Sequence, residues 1–498
     1  MHSPYFVILL SIFPILFIFT NNIFMVSIDE LILPLTISIL FSIILWFILK
    51  YILKNGRKSA IIVSLFLILF FSYGHLFIAA NGVEFGIFDT SKHYYFVIPF
   101  VIIFAIGTFL TIRTKRKLDN AITIGNGIAI TLILIASVNI GTYSIQNIET
   151  TSNSNLGIFD TQNNSKSDLP DIYYIILDGY ANSETLQQEY NFDNSDFINY
   201  LKTKNFVIPQ NTHGNYPLTF MALASSLNMK YVNEESGFDS KDEAQISGQK
   251  LIQNNDVMKQ LKSKGYSIIS FDTGSWYTNS IRLADWHVCG MNSLNSEFVS
   301  MIVRTTMLYP IHVKLLASDV REGILCIFDE LPKLTDRTQK PIFVFAHIII
   351  PHPPYIFDKD GNLPDVDSLS LTSGWDDQIG YVEQLQFANT KVKHVVNEIL
   401  SKDKSSIIII QSDHGPRAID WENPDENMIR MVFGIFNAYY LPNDGDQKIY
   451  DSITPVNSFR ILFNYYFDEN FELLDDNAFF SSAEEPDRFE DVSELLEN

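Results

Sequence analysis

Five long apolar stretches crowd the first 141 residues, at about 4–24, 31–53, 59–80, 94–112 and 121–141. Each is near the ~20 residues that a helix needs to cross a hydrocarbon core, where every backbone N–H and C=O must be satisfied within the segment. No other feature of the sequence restricts the fold so strongly. Buried helices of a water-soluble domain would not recur at this length with almost no internal charge. The first stretch, "PYFVILLSIFPILFIFT", has neither a basic start nor a small-residue cleavage site, so it reads as a retained span and not as a signal peptide.

The connections between spans predict an orientation. "KYILKNGRK" (Lys50 to Lys58) follows the second span and "RTKRK" (Arg113 to Lys117) follows the fourth. The connections after the first and third spans carry one lysine between them, Lys92. Lysine and arginine mark the cytoplasmic side. Odd-numbered spans therefore exit outward, and everything after the fifth span is expected outside the cell membrane.

Beyond the spans the chain turns polar and acidic. Residues 1–143 read as a five-helix transmembrane domain and the Asn/Ser-rich segment 144–168 as a linker. Residues 169–470 form the main outer domain, and 471–498 an acidic surface tail. Asn163-Asn164-Ser165 fits a glycosylation acceptor, a pattern that also arises by chance. A net charge of -22 excludes nucleic acid as a partner, because phosphates need a basic surface. It leaves an anionic substrate open, since a bound cation inverts the local field. Cys289 and Cys326 cannot build a disulfide framework; they read as packing residues, with one extracytoplasmic disulfide as the alternative.

In the outer domain, strand-like runs alternate with helical ones. "IYYIILDGY" (172–180), "YSIISFDT" (266–273), "PIFVFAHIII" (341–350), "SSIIIIQSD" (405–413) and "VFGIFNAYYL" (432–441) are the strands. Stretches such as "GYVEQLQFANTKVKHVVNEILSK" lie between them. This alternation predicts an α/β domain, a doubly wound, mostly parallel sheet covered on both faces. In such sheets ligands gather at the carboxyl ends of the strands. There this chain carries Asp178 in "ILDGY", His347 and His352 in "FAHIIIPHPPY", and Asp413 with His414 in "QSDHG". A lone Asp after a strand is more often a turn former and a lone His a core residue. Their joint placement on one sheet edge suits a divalent metal of the zinc or manganese kind. "GNYPLTFMALASSLNM" (Gly214 to Met229) adds Thr219 at a predicted helix start. There a hydroxyl is either an N-cap or a nucleophile ionised by a metal.

Taken together, "YYIILDGY", "NYPLTFMALASSLNM", "FVFAHIIIPHPPYIFDKDG" and "IIIIQSDHGP" resemble the alkaline phosphatase superfamily in order and spacing. The branch they resemble is the sulfatase-like one that includes lipoteichoic acid synthases and phosphoethanolamine transferases, and the similarity covers about residues 170–465. Five spans before an outer catalytic domain also resemble the lipoteichoic acid synthase layout. The resemblance implies that Asp178, Asp413 and His414 hold one divalent metal ion (Mn2+, Zn2+, Mg2+ or Ca2+), with Thr219 as both ligand and nucleophile. It places the catalytic candidates His347 and His352 near the bound oxyanion, and Arg417 as a lesser anion contact.

Two departures bear on the chemistry. Neither cysteine lies in the C/S-x-P-x-R segment that matures to formylglycine in true sulfatases, and Asp178 is followed by Gly179 where sulfatases carry a second acidic residue. The first, with Thr219 at the nucleophile position, favours phosphorus over sulfate. The expected function is a membrane-anchored, metal-dependent phosphoryl-group transferase or hydrolase. It would act on lipid head groups or envelope glycans, with a membrane lipid or envelope polymer as partner. The alternatives are a sulfatase-like ester hydrolase and a catalytically silent envelope binding protein. The joint presence of Asp178, Thr219, Asp413 and His414 counts against the silent protein.

Overall fold

In a computed structural model of the chain, the described residues are 4–23, 26, 28–80, 93–146, 169–233, 235, 237–238, 240–273, 275–289, 297–334, 341–364, 374–482 and 484–496. Residues 147–168, most of the expected linker with its acceptor sequence, lie outside them. The chain divides into two compact units. One comprises 1–162 with 292–316, the other 163–291 with 317–498.

The first unit contains the helices α1 (Phe6–Asn21), α2 (Ile32–Leu53), α3 (Gly56–Ala80), α4 (His93–Arg113) and α5 (Asp119–Gln146). Among the described residues, α2 to α5 are long and apolar enough to cross a membrane. The helix α1, with 16 residues, is shorter than expected. Their outer faces remain apolar, with Ile44, Phe47, Ile102, Phe109, Leu134 and Val138 all exposed, as a lipid-facing surface requires. Lys58 Nζ donates to the carbonyl oxygens of Ile112 (2.7 Å) and Thr114 (3.0 Å), and Arg57 pairs with Asp119 at 3.0 Å. The two basic connections thus meet at one end of the bundle, as the charge pattern requires.

In the second unit the sheet runs β3-β2-β4-β1-β5-β6, with β1 (Ile172–Leu177), β2 (Ser267–Phe271), β3 (Trp286–Val288), β4 (Ile342–Ile348), β5 (Ile407–Gln411) and β6 (Asn437–Tyr440). All pairings are parallel except β5 with β6. The four isoleucines of β5 make the logic visible. Ile408 and Ile410 join one core, built on the helix Gln378–Lys402, and Ile407 and Ile409 join the other, built on the helices Thr219–Asn228 and Pro455–Tyr466. A strand buried on both faces must be apolar at every position, which is why it reads as a run and not as an alternation. The expected strand 432–441 is shorter than its sequence implied, because its first residues close the helix Glu426–Phe433.

Two further expectations change. Cys289, just after β3, is bonded to Cys326 of the helix Tyr309–Glu330, so the cysteines form the single disulfide and are not separate packing thiols. The segment 471–498 is not a loose surface tail. Phe479–Phe480 pairs with Glu490–Asp491, Phe479 N–H donates to Asn215 O, and Ala478, Phe480 and Val492 bury against Val432 and Phe433.

Candidate active site

The central strand β1 lies between β4 and β5, so the three strand ends that carry polar residues are neighbours. Local hydrogen bonds fix each one. Asp178 N–H donates to Ile348 O, and Asp178 O accepts from His352 N–H. Beyond β5, the Ser412 hydroxyl donates to His414 O (2.6 Å) and accepts from Tyr180 N–H (2.9 Å), which pins the "SDHG" turn. Gly415 N–H donates to Val432 O, and a Cβ at Gly415 would meet Met431 O at 2.1 Å, so no side chain fits there. Sequence position is thereby converted into a rigid cluster.

Asp178, Thr219, His347, Asp413 and His414 are all buried in that cluster. Thr219 Oγ1 stands 3.2 Å from His414 Nε2. The same nitrogen is 3.4 Å from Asp178 Oδ1 and 3.4 Å from Asp413 Oδ2. His347 Nε2 lies 3.2 Å from Asp178 Oδ2. The N-cap of the Thr219–Asn228 helix is Leu218, with no side-chain capping bond. Thr219 therefore sits one residue inside the helix and turns its hydroxyl to His414, so the simple cap role does not describe it.

The protons show what the cluster lacks. His414 Nδ1, 2.7 Å from Gly415 O, must donate to that carbonyl, which leaves a lone pair on Nε2. Burial and the charge of Arg417 push His414 down to about 3, so the ring is neutral. Nε2 and the two carboxylates are then acceptors facing one another. Among the described residues, Asp178 Oδ1, Asp413 Oδ2 and His347 Nε2 have no hydrogen-bond partner. Burial, and then the charge on Asp178, push Asp413 up to about 6. Burial alone would raise Asp178 as well, yet His352 and His347 hold it below the usual carboxylate range. Buried, converging, unpartnered acceptors are what a cation satisfies. Ligand atoms of Asp178, His347 and Asp413 all lie within 4.8 Å of one another, so the residues present fit a divalent ion.

His352 and Arg417 border the cluster. Arg417 Nη2 is 2.8 Å from His352 Nε2, while His352 Nδ1 is 2.5 Å from Pro353 O. Trp375, which no sequence pattern flags, packs its ring 4.9 Å from that of His352 and 6.1 Å from that of His414, with Arg417 5.9 Å above it. With Tyr190, Asp376 and Met428 it also lines a cavity of about 350 Å³. Gly179 explains a departure seen in the sequence. Its φ of +73° and a Cβ position 2.4 Å from the Trp375 ring exclude a second carboxylate here, and its N–H donates instead to Asp413 Oδ1 at 3.2 Å. Thr278, also without a sequence signature, places Oγ1 3.0 Å from His347 Nδ1.

A family model described as Sulfatase matches residues 170–457, more than half of the chain. The chain belongs to the sulfatase family. The matched span contains every residue of the cluster, so this is a sulfatase-family domain preceded by apolar helices. No curated protein matches it by sequence. Among solved structures it is similar to the C-terminal periplasmic domain of EptC from Escherichia coli in complex with Zn, at 12% identity and a TM-score of 0.46, over 68% of this chain and 98% of that one. It is also similar to the integral membrane lipooligosaccharide phosphoethanolamine transferase A of Neisseria meningitidis, at 12% identity and a TM-score of 0.39, over 92% and 94% of the two chains. The periplasmic domain of the phosphoethanolamine transferase EptC from Campylobacter jejuni aligns at 14% identity and a TM-score of 0.37, over 60% and 89%.

Proposed function

We propose that this sulfatase-family protein is a membrane-anchored phosphoryl-group transferase or hydrolase, with Thr219 as its nucleophile and its site outside the cell membrane. The observation that carries the reading is the hydroxyl of Thr219 at 3.2 Å from His414 Nε2, amid buried carboxylate oxygens that have no hydrogen-bond partner among the described residues. Asp178, Asp413 and His414 would hold a divalent ion together with Thr219. Such an ion acidifies a coordinated hydroxyl and offsets charge on phosphoryl oxygens.

The chain's own residues supply the rest. Thr219 Oγ1 bonds to phosphorus in line as the bond to the leaving alcohol breaks, and the proton lost from Thr219 ends on that alcohol. An acceptor alcohol, or water, then attacks the phosphothreonine and returns a proton to Thr219 Oγ1. Arg417 binds the anionic oxygens. In this geometry His352 has both ring nitrogens engaged, Nδ1 donating to Pro353 O and Nε2 accepting from Arg417, so it aims the guanidinium at the anion. The threonine nucleophile and the absence of a formylglycine segment favour phosphorus over sulfur. Tethering to the bilayer favours a membrane lipid or an envelope polymer as substrate.

Turnover of the detergent-purified chain with defined divalent metals, on matched panels of phosphodiesters, phosphomonoesters and sulfate esters, tests this. The reading expects phosphorus esters to turn over and Thr219→Ala to be inactive on them. Cleavage of sulfate esters alone would overturn it.

A further inference from the structure

Directly after the helix Glu297–Arg304, consecutive N–H groups all find partners within the protein. Thr305 N–H donates to Ile302 O (3.1 Å), Thr306 N–H to Val303 O (2.9 Å), Met307 N–H to Phe70 O (3.1 Å) and Leu308 N–H to Thr306 Oγ1 (3.1 Å). The hydroxyls of Thr305 and Thr306 turn back to Ile302 O (2.7 Å) and Val303 O (2.8 Å). Thr305 O accepts from Gly74 N–H at 2.9 Å. Phe70 and Gly74 belong to α3, one of the helices long and apolar enough to cross a membrane. A Cβ at Gly74 would meet Arg304 O at 1.8 Å, so this close approach requires glycine. The helix Glu297–Arg304 buries Phe298 and Ile302, and the Phe298 ring meets that of Phe19 in α1 edge-on at 6.0 Å.

The chain reaches this place by an excursion. Residues 292–316 belong to the first unit, while the residues before and after them belong to the second, where Cys289–Cys326 closes the base of the excursion. Depth follows from helix arithmetic. Lys58 is the last lysine or arginine of α3, and Phe70 and Gly74 lie 12 and 16 residues beyond it, about 18 and 24 Å along the axis. Tilt only shortens these distances. Both residues therefore fall within a hydrocarbon core ~30 Å thick, on its far side from the basic connections. Phe19, close to the end of α1, marks the same side. Non-helical backbone is tolerated at that depth only where protein satisfies its polar groups, and the N–H groups of 305–308 meet that condition.

We propose that residues 297–308, although they lie within the sulfatase-family span, are a re-entrant membrane segment that docks on α1 and α3 and faces the acyl chains of the leaflet opposite the basic connections. Leu308, 47% exposed, is the apolar side chain offered to those chains. Arg304, also exposed, is long enough to carry its guanidinium outward to the lipid phosphates. The inference rests on the membrane-anchored reading above. It gives the sulfatase-family domain a second attachment to the bilayer, besides the chain that joins it to α5.

The test places a nitroxide at Leu308→Cys in the full chain, reconstituted in phosphatidylcholine vesicles; the native cysteines are bonded to each other and do not take the label. Oxygen partitions into hydrocarbon, whereas a nickel chelate stays in water. The oxygen-to-nickel accessibility ratio at Leu308 should match, within a few-fold, that of a label at Ile44→Cys on the outer face of α2. It should exceed several-fold that of a label at the exposed Asp196→Cys. Gly74→Leu, which obstructs the docking, should bring the Leu308 ratio down toward the Asp196 value; if that variant does not fold, Gly74→Ala is read by the same criterion. A water-like ratio at Leu308 beside a lipid-like one at Ile44 overturns this inference alone, as does an unchanged Leu308 ratio in the folded Gly74 variant. A water-like ratio at Ile44 overturns the membrane-anchored reading, and the inference with it.

Discussion

The guanidinium of Arg417 lies 2.8 Å from Nε2 of His352, whose other nitrogen is spent on Pro353 O. This pair converts a flexible cation into a fixed one, braced further by the Trp375 ring. Arg417→Gln should therefore lower kcat/KM for an anionic substrate by about 10- to 150-fold, the equivalent of the ~1.5–3 kcal/mol carried by a hydrogen bond to a charged group. His352→Ala should produce part of the same loss, and the double variant should lose much less than the sum, because the two act as one unit. Fully additive losses would mean that His352 does something independent of Arg417.

Asp413→Asn should release the divalent ion while leaving the fold intact, as read by metal analysis and circular dichroism on the same sample. Affinity should also depend on pH. Below about 6, the value to which burial and Asp178 raise Asp413, the ion must displace a proton, and affinity falls by up to ~10-fold per pH unit; above it the dependence flattens. For the metal-free protein the sign is opposite. The folded pKa of Asp413 is raised above its unfolded value, so its contribution to stability is present at low pH and lost as pH rises through about 6. Chemical denaturation with and without Mn2+ across that window checks both.

Cys289–Cys326 closes a separation of 37 residues. Chain-entropy arguments assign such a loop roughly 3–4 kcal/mol. The Cys289→Ser/Cys326→Ser chain should lose stability of that order. A disulfide in the sulfatase-family domain agrees with the proposed placement of that domain in an oxidising compartment.

With five spans and the basic connections on the cytoplasmic side, as proposed, a reporter fused after residue 144 should report from outside the cell membrane. A cytoplasmic signal would show that α1, the short helix, does not span.

What was legible in the sequence follows from periodicity and from strand ends. The run of Ile407 to Ile410 announced a strand buried on both faces, and Asp178, Asp413 and His414 marked the edge where ligands gather. Thr278 and Trp375 were not legible. Each reaches the site from a loop distant in sequence, and neither residue type in its local context differs from ordinary packing. The acidic ending at 471–498 misled because composition registers charge and misses Ala478, Phe480 and Val492, the few apolar residues that dock it. The partners of His352 were not legible for a similar reason. Sequence places a histidine beside an anion site but cannot show that Pro353 O and Arg417 already occupy both of its nitrogens.

The central claim is that Thr219 Oγ1 forms the covalent bond to phosphorus. Rapid acid quench during turnover of a phosphorus ester, followed by mass spectrometry of the peptide containing Thr219, measures it directly. The account predicts an adduct of the transferred phosphoryl group on Thr219, absent in Thr219→Ala, with Thr219→Ser retaining partial activity and forming the adduct on serine. Full turnover by Thr219→Ala would contradict it, and the nucleophile would then have to be water.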